Sequence, residues 1–517
     1  MFKHKNMNNP QPRMSLHDVD AQNGTPLKRC DLRAIILIAL LILTFILYTI
    51  YAVYHNGYEP DEGFYMNSSW NVLNGLKPYR DFGFTHTPAS AWIGSIGLAV
   101  FGWDLYGARF LGMFLSTVSV AIGVVFLYRK AGIPSVVIFS LLIVASPGWM
   151  EWSASAKPFA LGGLCILLGG IVVLSDISVI KRWWCFVCVA ALGCLVRLPL
   201  APFFLVGSCA ILVDIKDKKQ LFVSLLGSAI FGFLILYFIS YDCIESAWFW
   251  IVEYHSMRHV FKGGSFPYKT IVIDGLAYGT VTWLLFPFCL YICRKNVGYL
   301  LLGFGVILGL YLNLGFRSSF SVYAVYFVPI GALMVAYSWS TLPVGFRNLL
   351  NTYSAIVLVM CILAFGWNFR SLKRQHMGDI PEYMLAYEQT VNFLKNAIPP
   401  GSAVIATTIE IPLTGGYRIP HKLAMGMFGF TDSISQEDAD RFHMTTTKDL
   451  IRFLEDPKTS AWVGSLDNYL NYSWSAPHYS PVADLNQKAI IDCLENNYDF
   501  AFSNAAYVVF LRKPIAH

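Results

Sequence analysis

The chain is expected to be an α-helical multi-span membrane protein with about 11–13 transmembrane helices, followed by a soluble α/β domain. Three observations predict this. Hydrophobic residues make up 56% of the 517 and charged residues 14%, with a mean hydropathy of +0.51, whereas a soluble globular chain carries roughly 25% charged residues. Apolar runs of roughly 20 residues recur from residue 34 to residue 367. After Arg370 those runs stop, and the patterns of short helices and strands take their place. The net charge of +6 is mild and fits Lys/Arg in cytoplasmic loops, so a nucleic-acid partner is not expected.

The spans are placed by apolar length and oriented by Lys/Arg in short loops. Residues 1–33 form a polar, basic tail, read as cytoplasmic. The run Ala34–Val53 is longer than the roughly 7–15-residue core of a cleaved signal peptide and is read as an uncleaved first span. Residues 88–102 are short and begin at a proline. As a crossing they would put Arg129-Lys130 outside, so they are read as a re-entrant or interfacial segment lying against protein. The following spans are 107–128, 134–147, 159–175, 183–196, 199–213, 221–240, 270–293, 297–314, 320–338 and 349–367. This gives about eleven crossings, or nearer thirteen if 88–102 also crosses. The membrane module is therefore 34–369, with outer loops at 55–106 and 241–269. The protein is expected to be a multi-pass component of the plasma or inner membrane.

The count puts residues 370–517 outside the cytoplasm. There PEYMLAYEQTVNFLKNAI, TKDLIRFLED and LNQKAIIDCLENN read as helices, and AVIATT, AWVGS and AYVVFLRK as strands. No GxGxxG, P-loop or HExxH occurs in this tail, so its expected role is to dock on or cover a site. Of the 11 cysteines, only Cys243 and Cys493 reach the outer side, so no disulfide scaffold is indicated. Cys185 and Cys188 form a CxxC in spacing only, within an apolar run.

The charged residues of the outer loops carry the chemistry. The first loop holds Asp61, Glu62, Asp81, His86 and Arg109. The second holds Glu151 and Lys157. Arg197 lies between two apolar runs, Arg258, His259 and Lys262 lie in the loop 241–269, and Arg317 follows the span 297–314. Acidic residues beside a bilayer are costly and usually functional. Arg and Lys grip phosphate, Arg with two donors at once. A carboxylate within hydrogen-bond reach of an acceptor hydroxyl would take its proton. The set suits transfer of a group from a lipid phosphate, with phosphate as a stable leaving anion. Structural alternatives stand beside these roles. Asp61-Glu62 also reads as a helix start, Asp81 as a turn residue or a partner of Arg80, and His86 as a hydrogen-bonded structural histidine. Arg109 reads equally as an interfacial anchor, Arg258, His259 and Lys262 as lipid-headgroup anchors, and Glu151 and Lys157 as a mutual pair.

The ordered set Asp61-Glu62, Gly75-Leu-Lys-Pro78-Tyr79-Arg-Asp81, His86-Thr-Pro88 and Arg109 resembles the start of the GT-C membrane glycosyltransferases. It is most similar to the branch related to protein O-mannosyltransferases and the lipid A aminoarabinose transferase. Tyr323-Ala-Val-Tyr326-Phe-Val-Pro329 resembles the Tyr and Pro pattern of a late span in that branch. The resemblance implies an inverting transferase of the cell envelope that uses a polyprenyl-phosphate sugar, with Asp61 as base; Glu62 is read as catalytic with it. The remaining residues, Asp81, His86, Arg109, Lys157, Arg197, Arg258, His259, Lys262 and Arg317, would bind substrate. The acceptor would be a lipid, glycan or protein hydroxyl at the outer face. One departure is clear: Phe159 stands where relatives often have an acidic residue, in Ala156-Lys157-Pro158-Phe159. Either Glu151 substitutes or the second carboxylate is missing. A divalent cation wants several oxygen ligands, so no essential metal is expected, and a divalent cation stays open as the alternative.

Two other classes remain on the sequence alone. One is a transporter or flippase of lipid-linked sugars, which would favour internal repeats and charges along a midplane path; no repeat is found, and the charges gather at one surface. The other is a non-catalytic subunit that scaffolds glycan assembly. Asn67-Ser-Ser69 and Asn471-Tyr-Ser473 match the glycosylation tripeptide.

Overall fold

The computed structural model describes residues 32–55, 60–255, 278–315, 321–342, 380–465 and 486–514. The span expected at 349–367 lies outside them, as does the tail before Leu32. The membrane part opens with α1 (Leu32–His55), whose 24 residues reach about 36 Å, enough for a hydrocarbon core of roughly 30 Å. Then come α2 (Pro60–Leu73), α3 (Ala89–Phe101), α4 (Leu105–Ala131), α5 (Ile133–Val144), α6 (Pro147–Trp152), α7 (Phe159–Leu174) and α8 (Val179–Val196). A 3-10 turn at Leu198–Leu200 leads into α9 (Ala201–Leu212), followed by α10 (Lys218–Ser240) and α11 (Ile244–Trp248), which continues as a π-helical turn over Phe249–Glu253. α12 (Thr280–Ile292), α13 (Val297–Gly315), a 3-10 stretch at Ser321–Phe327 and α14 (Val328–Ser340) complete the described part. Among the described residues six helical stretches are long and apolar enough to cross a membrane, and five shorter apolar helices accompany them. The chain is a multi-pass membrane protein.

Local chemistry sets the helix boundaries. Asp104 caps α4 by accepting the Gly107 N–H at 2.8 Å, and the helix ends at Arg129 and Lys130 before Gly132, whose φ is 81°. α14 is apolar all round and buried all round, which makes it the centre of the bundle. α7 packs closely on its neighbours because Gly162 and Gly163 face Tyr326 and Trp149: a Cβ at Gly163 would lie 2.7 Å from the Trp149 ring. α3 has 13 residues, about 20 Å, too short to span alone. It packs on α2 and α4 but leaves Ile96 and Val100 more than 60% exposed, so protein covers only one of its faces. Its backbone bonds close within the helix, so the open face needs only apolar side chains.

The C-terminal part begins with α15 (Ile380–Ala397). β1 (Ala403–Ala406), α16 (Glu410–Gly415), α17 (Gln436–Arg441), α18 (Thr447–Glu455), β2 (Thr459–Ser465), α19 (Gln487–Asn497), β3 (Tyr498–Ser503) and β4 (Tyr507–Arg512) follow. The sheet order is β1-β2-β4-β3, with β1 parallel to β2 and the other pairs antiparallel. The three expected helices and three expected strands are present; β3 was not expected. This part of the chain packs directly on the π-helical turn that follows α11. Phe442 stacks on Phe249 at 4.1 Å, its carbonyl accepts Trp250 Nε1–H at 2.8 Å, and the Phe428 carbonyl accepts the Tyr254 hydroxyl at 2.7 Å.

Inside the domain, Lys422 bridges Asp440 and the buried Asp449, whose Oδ2 lies 2.8 Å from its ammonium. Burial works against the Asp449 carboxylate, but Lys422, Gln436 and the Thr446 N–H outweigh it and hold the group below its usual range. A depressed folded-state value means that the bridge stabilises fully above the unfolded carboxylate value of about 4 and fades as pH falls through the lower folded value. Lys422→Met is expected to cost about 3 kcal/mol at pH 7. The melting temperature of the detergent-solubilised protein should drop by about 5 °C or more. Melts repeated at pH 3 should show a smaller gap between variant and wild type; an unchanged gap would count against the bridge.

Candidate active site

α2 begins at Pro60, where the missing N–H is harmless, and its first turn carries Asp61 and Glu62, which the helix N-terminus favours. Consecutive helical residues point about 100° apart, and the two carboxylates go to different places. Glu62 turns inward and is 1% exposed. It grips the fully buried Arg109, with Oε2 2.6 Å from Nη2 and Oε1 3.0 Å from Nε. Oε1 also accepts the Ala156 N–H at 2.8 Å, and Arg109 Nη1 donates to the Val53 carbonyl at 3.1 Å. One ion pair therefore ties α1, α2, α4 and the 153–158 turn together.

Asp61 keeps 40% of its side chain exposed and pairs with Lys157, Oδ2 to Nζ 3.1 Å; Lys157 is itself only 6% exposed. The Lys157 ammonium lies 5.0 Å from the Trp152 ring and 6.0 Å from the Phe159 ring. Phe159, at the position where relatives often carry an acid, is thus a buried wall behind Lys157, packed on Tyr326 at 5.0 Å. A crevice opens beside Lys157 between α2, α3, α4 and α7, lined by Tyr65, Met66, Ile93, Leu111, Leu115 and Leu161 among others.

Arg197 sits in extended backbone between α8 and the 3-10 turn, where Pro199 prevents the helices from joining. It is 6% exposed. Its guanidinium lies 4.1 Å from the Tyr323 ring and donates from Nη1 to the Tyr326 hydroxyl at 3.2 Å. Its buried Nε has no hydrogen-bond partner among the described residues. A buried cation held by phenols, with one donor unbonded among the described residues, is a candidate contact for an anion. Tyr65 connects the two halves: its buried phenol lies within electrostatic reach of Arg197, Tyr326, Asp61 and Tyr323, and burial pushes it well above its ordinary range. His86 stacks on Tyr65 at 5.3 Å and 5°, and its carbonyl accepts the Tyr79 hydroxyl at 2.5 Å. His255 stands 5.9 Å from His86 and donates Nε2–H to the Thr85 carbonyl at 2.8 Å.

Tyr65 thus stacks on His86, shares the crevice with Lys157 and lies within electrostatic reach of Asp61 and Arg197, and Glu62, beside Asp61 in the chain, pairs with Arg109. Asp81 lies elsewhere. It accepts the Lys77 N–H at 2.7 Å, closing its own turn, and pairs with Arg80, which holds its carboxyl below the usual range. Lys77 and Arg80 both reach Asp242, so the stretch is a surface ion-pair cluster. Arg258, His259, Lys262 and Arg317 lie outside the described residues. Tyr65 was missed as a site residue; its position one helical turn beyond Asp61 was the available signal. Asn67 of the first glycosylation tripeptide is 3% exposed and donates to the Ala424 carbonyl at 3.1 Å; Asn471 lies outside the described residues. Among the described residues no three His, Cys, Asp or Glu side chains gather as a metal site.

No family model and no curated protein matches the chain. By structure the chain is similar to ArnT from Cupriavidus metallidurans bound to undecaprenyl phosphate. The TM-score is 0.61 at 13% identity over 93% of this chain and 98% of that one. The same protein in the apo state gives 0.61 and 13% over 92% and 97%. The Archaeoglobus fulgidus oligosaccharyltransferase in the apo form follows at 0.43 and 11%, over 92% and 74%. At such identities what is shared is the fold: this chain has the fold of the ArnT structure, the fold that the first-loop residues led us to expect.

Removing one partner of a buried pair leaves the other charge uncompensated. Glu62→Ala is expected to destabilise the protein by about 3–5 kcal/mol, whereas replacing both partners, Glu62→Met with Arg109→Met, should cost distinctly less. Heating solubilised protein and measuring the fraction that stays monodisperse separates the two; equal losses would mean that the pair is not a unit.

Proposed function

We propose that the protein is an inverting glycosyltransferase that moves a sugar from a polyprenyl-phosphate donor to an acceptor hydroxyl at the outer membrane face. The observation that carries this is a half-exposed carboxylate, Asp61, paired with the buried Lys157 beside Tyr65, whose phenol is also within electrostatic reach of the buried Arg197. The similar ArnT structure holds undecaprenyl phosphate, which supports a lipid phosphate as the anion. The acceptor is a lipid, glycan or protein, and the N-terminus is cytoplasmic with the C-terminal domain outside.

In this reading the donor phosphate takes the ammonium of Lys157 and the Nε of Arg197, which is unbonded among the described residues. Asp61 loses its resting partner and is left to accept a proton. The acceptor O–H gives that proton to Asp61. Its oxygen bonds to the anomeric carbon from the face opposite the phosphate, and the carbon–phosphate-oxygen bond breaks, its electron pair leaving on polyprenyl phosphate. Glu62 and Arg109 position the first turn of α2 and touch no substrate. Asp81 shapes the loop, and His86 supports Tyr65. Arg258, His259, Lys262 and Arg317 remain proposed phosphate or headgroup contacts.

The test is transfer of labelled sugar from polyprenyl-phosphate donors by purified protein, with and without EDTA. Asp61→Asn should lose about 100-fold or more of the rate while still binding undecaprenyl phosphate; undiminished transfer would remove Asp61 as the base. Arg197→Ala should weaken undecaprenyl phosphate binding about 10–100-fold, the worth of hydrogen bonds to a charged group. The EDTA lane reports whether a divalent cation takes part.

A further inference from the structure

We infer that Glu410, in the C-terminal domain, is a positioning residue for Asp61. The carboxyl of Glu410 is seated in a notch that Gly63 leaves in the helix carrying the base. Glu410 opens α16 and is fully buried. A Cβ built on Gly63 would overlap Glu410 Oε2 and lie 3.5 Å from the Glu410 backbone nitrogen. The Glu410 carboxyl occupies the space that a side chain at position 63 would take, so a Cβ there requires the buried carboxyl to move. Gly63 is two residues beyond Asp61, in the same first turn of α2.

The contact is part of a larger seam. The buried phenols of Tyr387 and Tyr507 both lie within electrostatic reach of Glu410, and Tyr507 is also within reach of Arg109. Farther along α2, Phe64 packs edge-on against Phe428 at 5.4 Å, and Asn67 binds the Ala424 carbonyl. α2 is thus held twice: through Glu62 by the membrane helices, and through Gly63, Phe64 and Asn67 by the C-terminal domain. Asp61 projects from the turn where these two holds meet. A displacement of about 1 Å at a reacting group lowers rate by roughly 100-fold, so the seat of this turn is a rate-determining dimension. The C-terminal domain is then more than a cover: it is one jaw of the clamp that aims the base.

The inference rests on the proposed role of Asp61, and the experiment separates the two. Gly63→Ala, Glu410→Ala and the double variant are purified in full-length form beside wild type and Asp61→Asn. Gly63→Ala should lower kcat about 10–100-fold with donor KM within about threefold. Glu410→Ala should lower kcat less, and in its background Gly63→Ala should recover most of its loss, since the added methyl then fills the vacated notch. Multiplicative losses, or wild-type kcat with only a lowered Tm, would overturn the positioning role. If Gly63→Ala does not fold, Glu410→Ala and the double variant give the same kcat and KM comparison. Should wild type transfer nothing, the transferase reading fails by itself. The clamp is then read from Asp61→Cys, as the rate of thiol labelling at residue 61 followed by mass spectrometry. A rate that shifts severalfold in the Gly63→Ala or Glu410→Ala background supports the clamp, and equal rates in every background overturn it.

Discussion

The ion pair between Glu62 and Arg109 is the interaction on which the rest of the site depends. Two fully buried charges are expensive to desolvate, and the cost is met only where every lone pair and proton finds a partner. Here both Glu62 oxygens and two sides of the guanidinium are engaged, and the partners come from α1, α2, α4 and the turn after α6. Such a pair is weak evidence for net stability, but it fixes geometry strongly, since any shift of one element strands a charge. It sets where α2 begins its first turn relative to the bundle. It therefore also sets where Asp61 emerges.

Arg197 shows the complementary strategy. Glu62 and Arg109 cancel each other, while Arg197 is surrounded by tyrosines, with one buried N–H unbonded among the described residues. Phenol rings offer a cation their π faces and a hydroxyl, enough to hold it without neutralising it. The positive charge stays available to an anion from outside. Lys157 is intermediate: paired to a half-exposed carboxylate, yet walled by Trp152 and Phe159. The aromatic residue at 159, at first sight a lost acid, walls this ammonium off from water, so that any charge it meets is felt more strongly.

Much of this was legible in the sequence, for physical reasons. Apolar runs and cationic loops give spans because the bilayer leaves so few alternatives. Charges kept beside a membrane advertise themselves, which is why Asp61, Glu62, Arg109, Lys157 and Arg197 all stood out. The sequence could not tell which charges meet. Asp81 looks the same whether it closes a turn with the Lys77 N–H or binds a ligand. β3 was missed because α19 ends at Asn497 and the strand starts at Tyr498, with no turn residue between them and an exposed Asp499 and Phe500 that break the alternation. Glu410 was invisible because its contact with Gly63 spans two domains and follows no local pattern.

The adjacent acids of loop one then make sense as a pair with divided duties. On a helix, neighbours diverge by about 100°, so two acids in succession cannot serve one pocket equally. One must face the protein if the other faces the ligand. Glu62, with its longer side chain, reaches back to Arg109; Asp61, shorter and with fewer rotamers to lose, projects into the half-open site. Glycine at the next position follows from the same geometry, because the third direction around that turn is taken by Glu410. Asp61-Glu62-Gly63 is thus three consecutive answers to three different surroundings: site, membrane bundle and C-terminal domain.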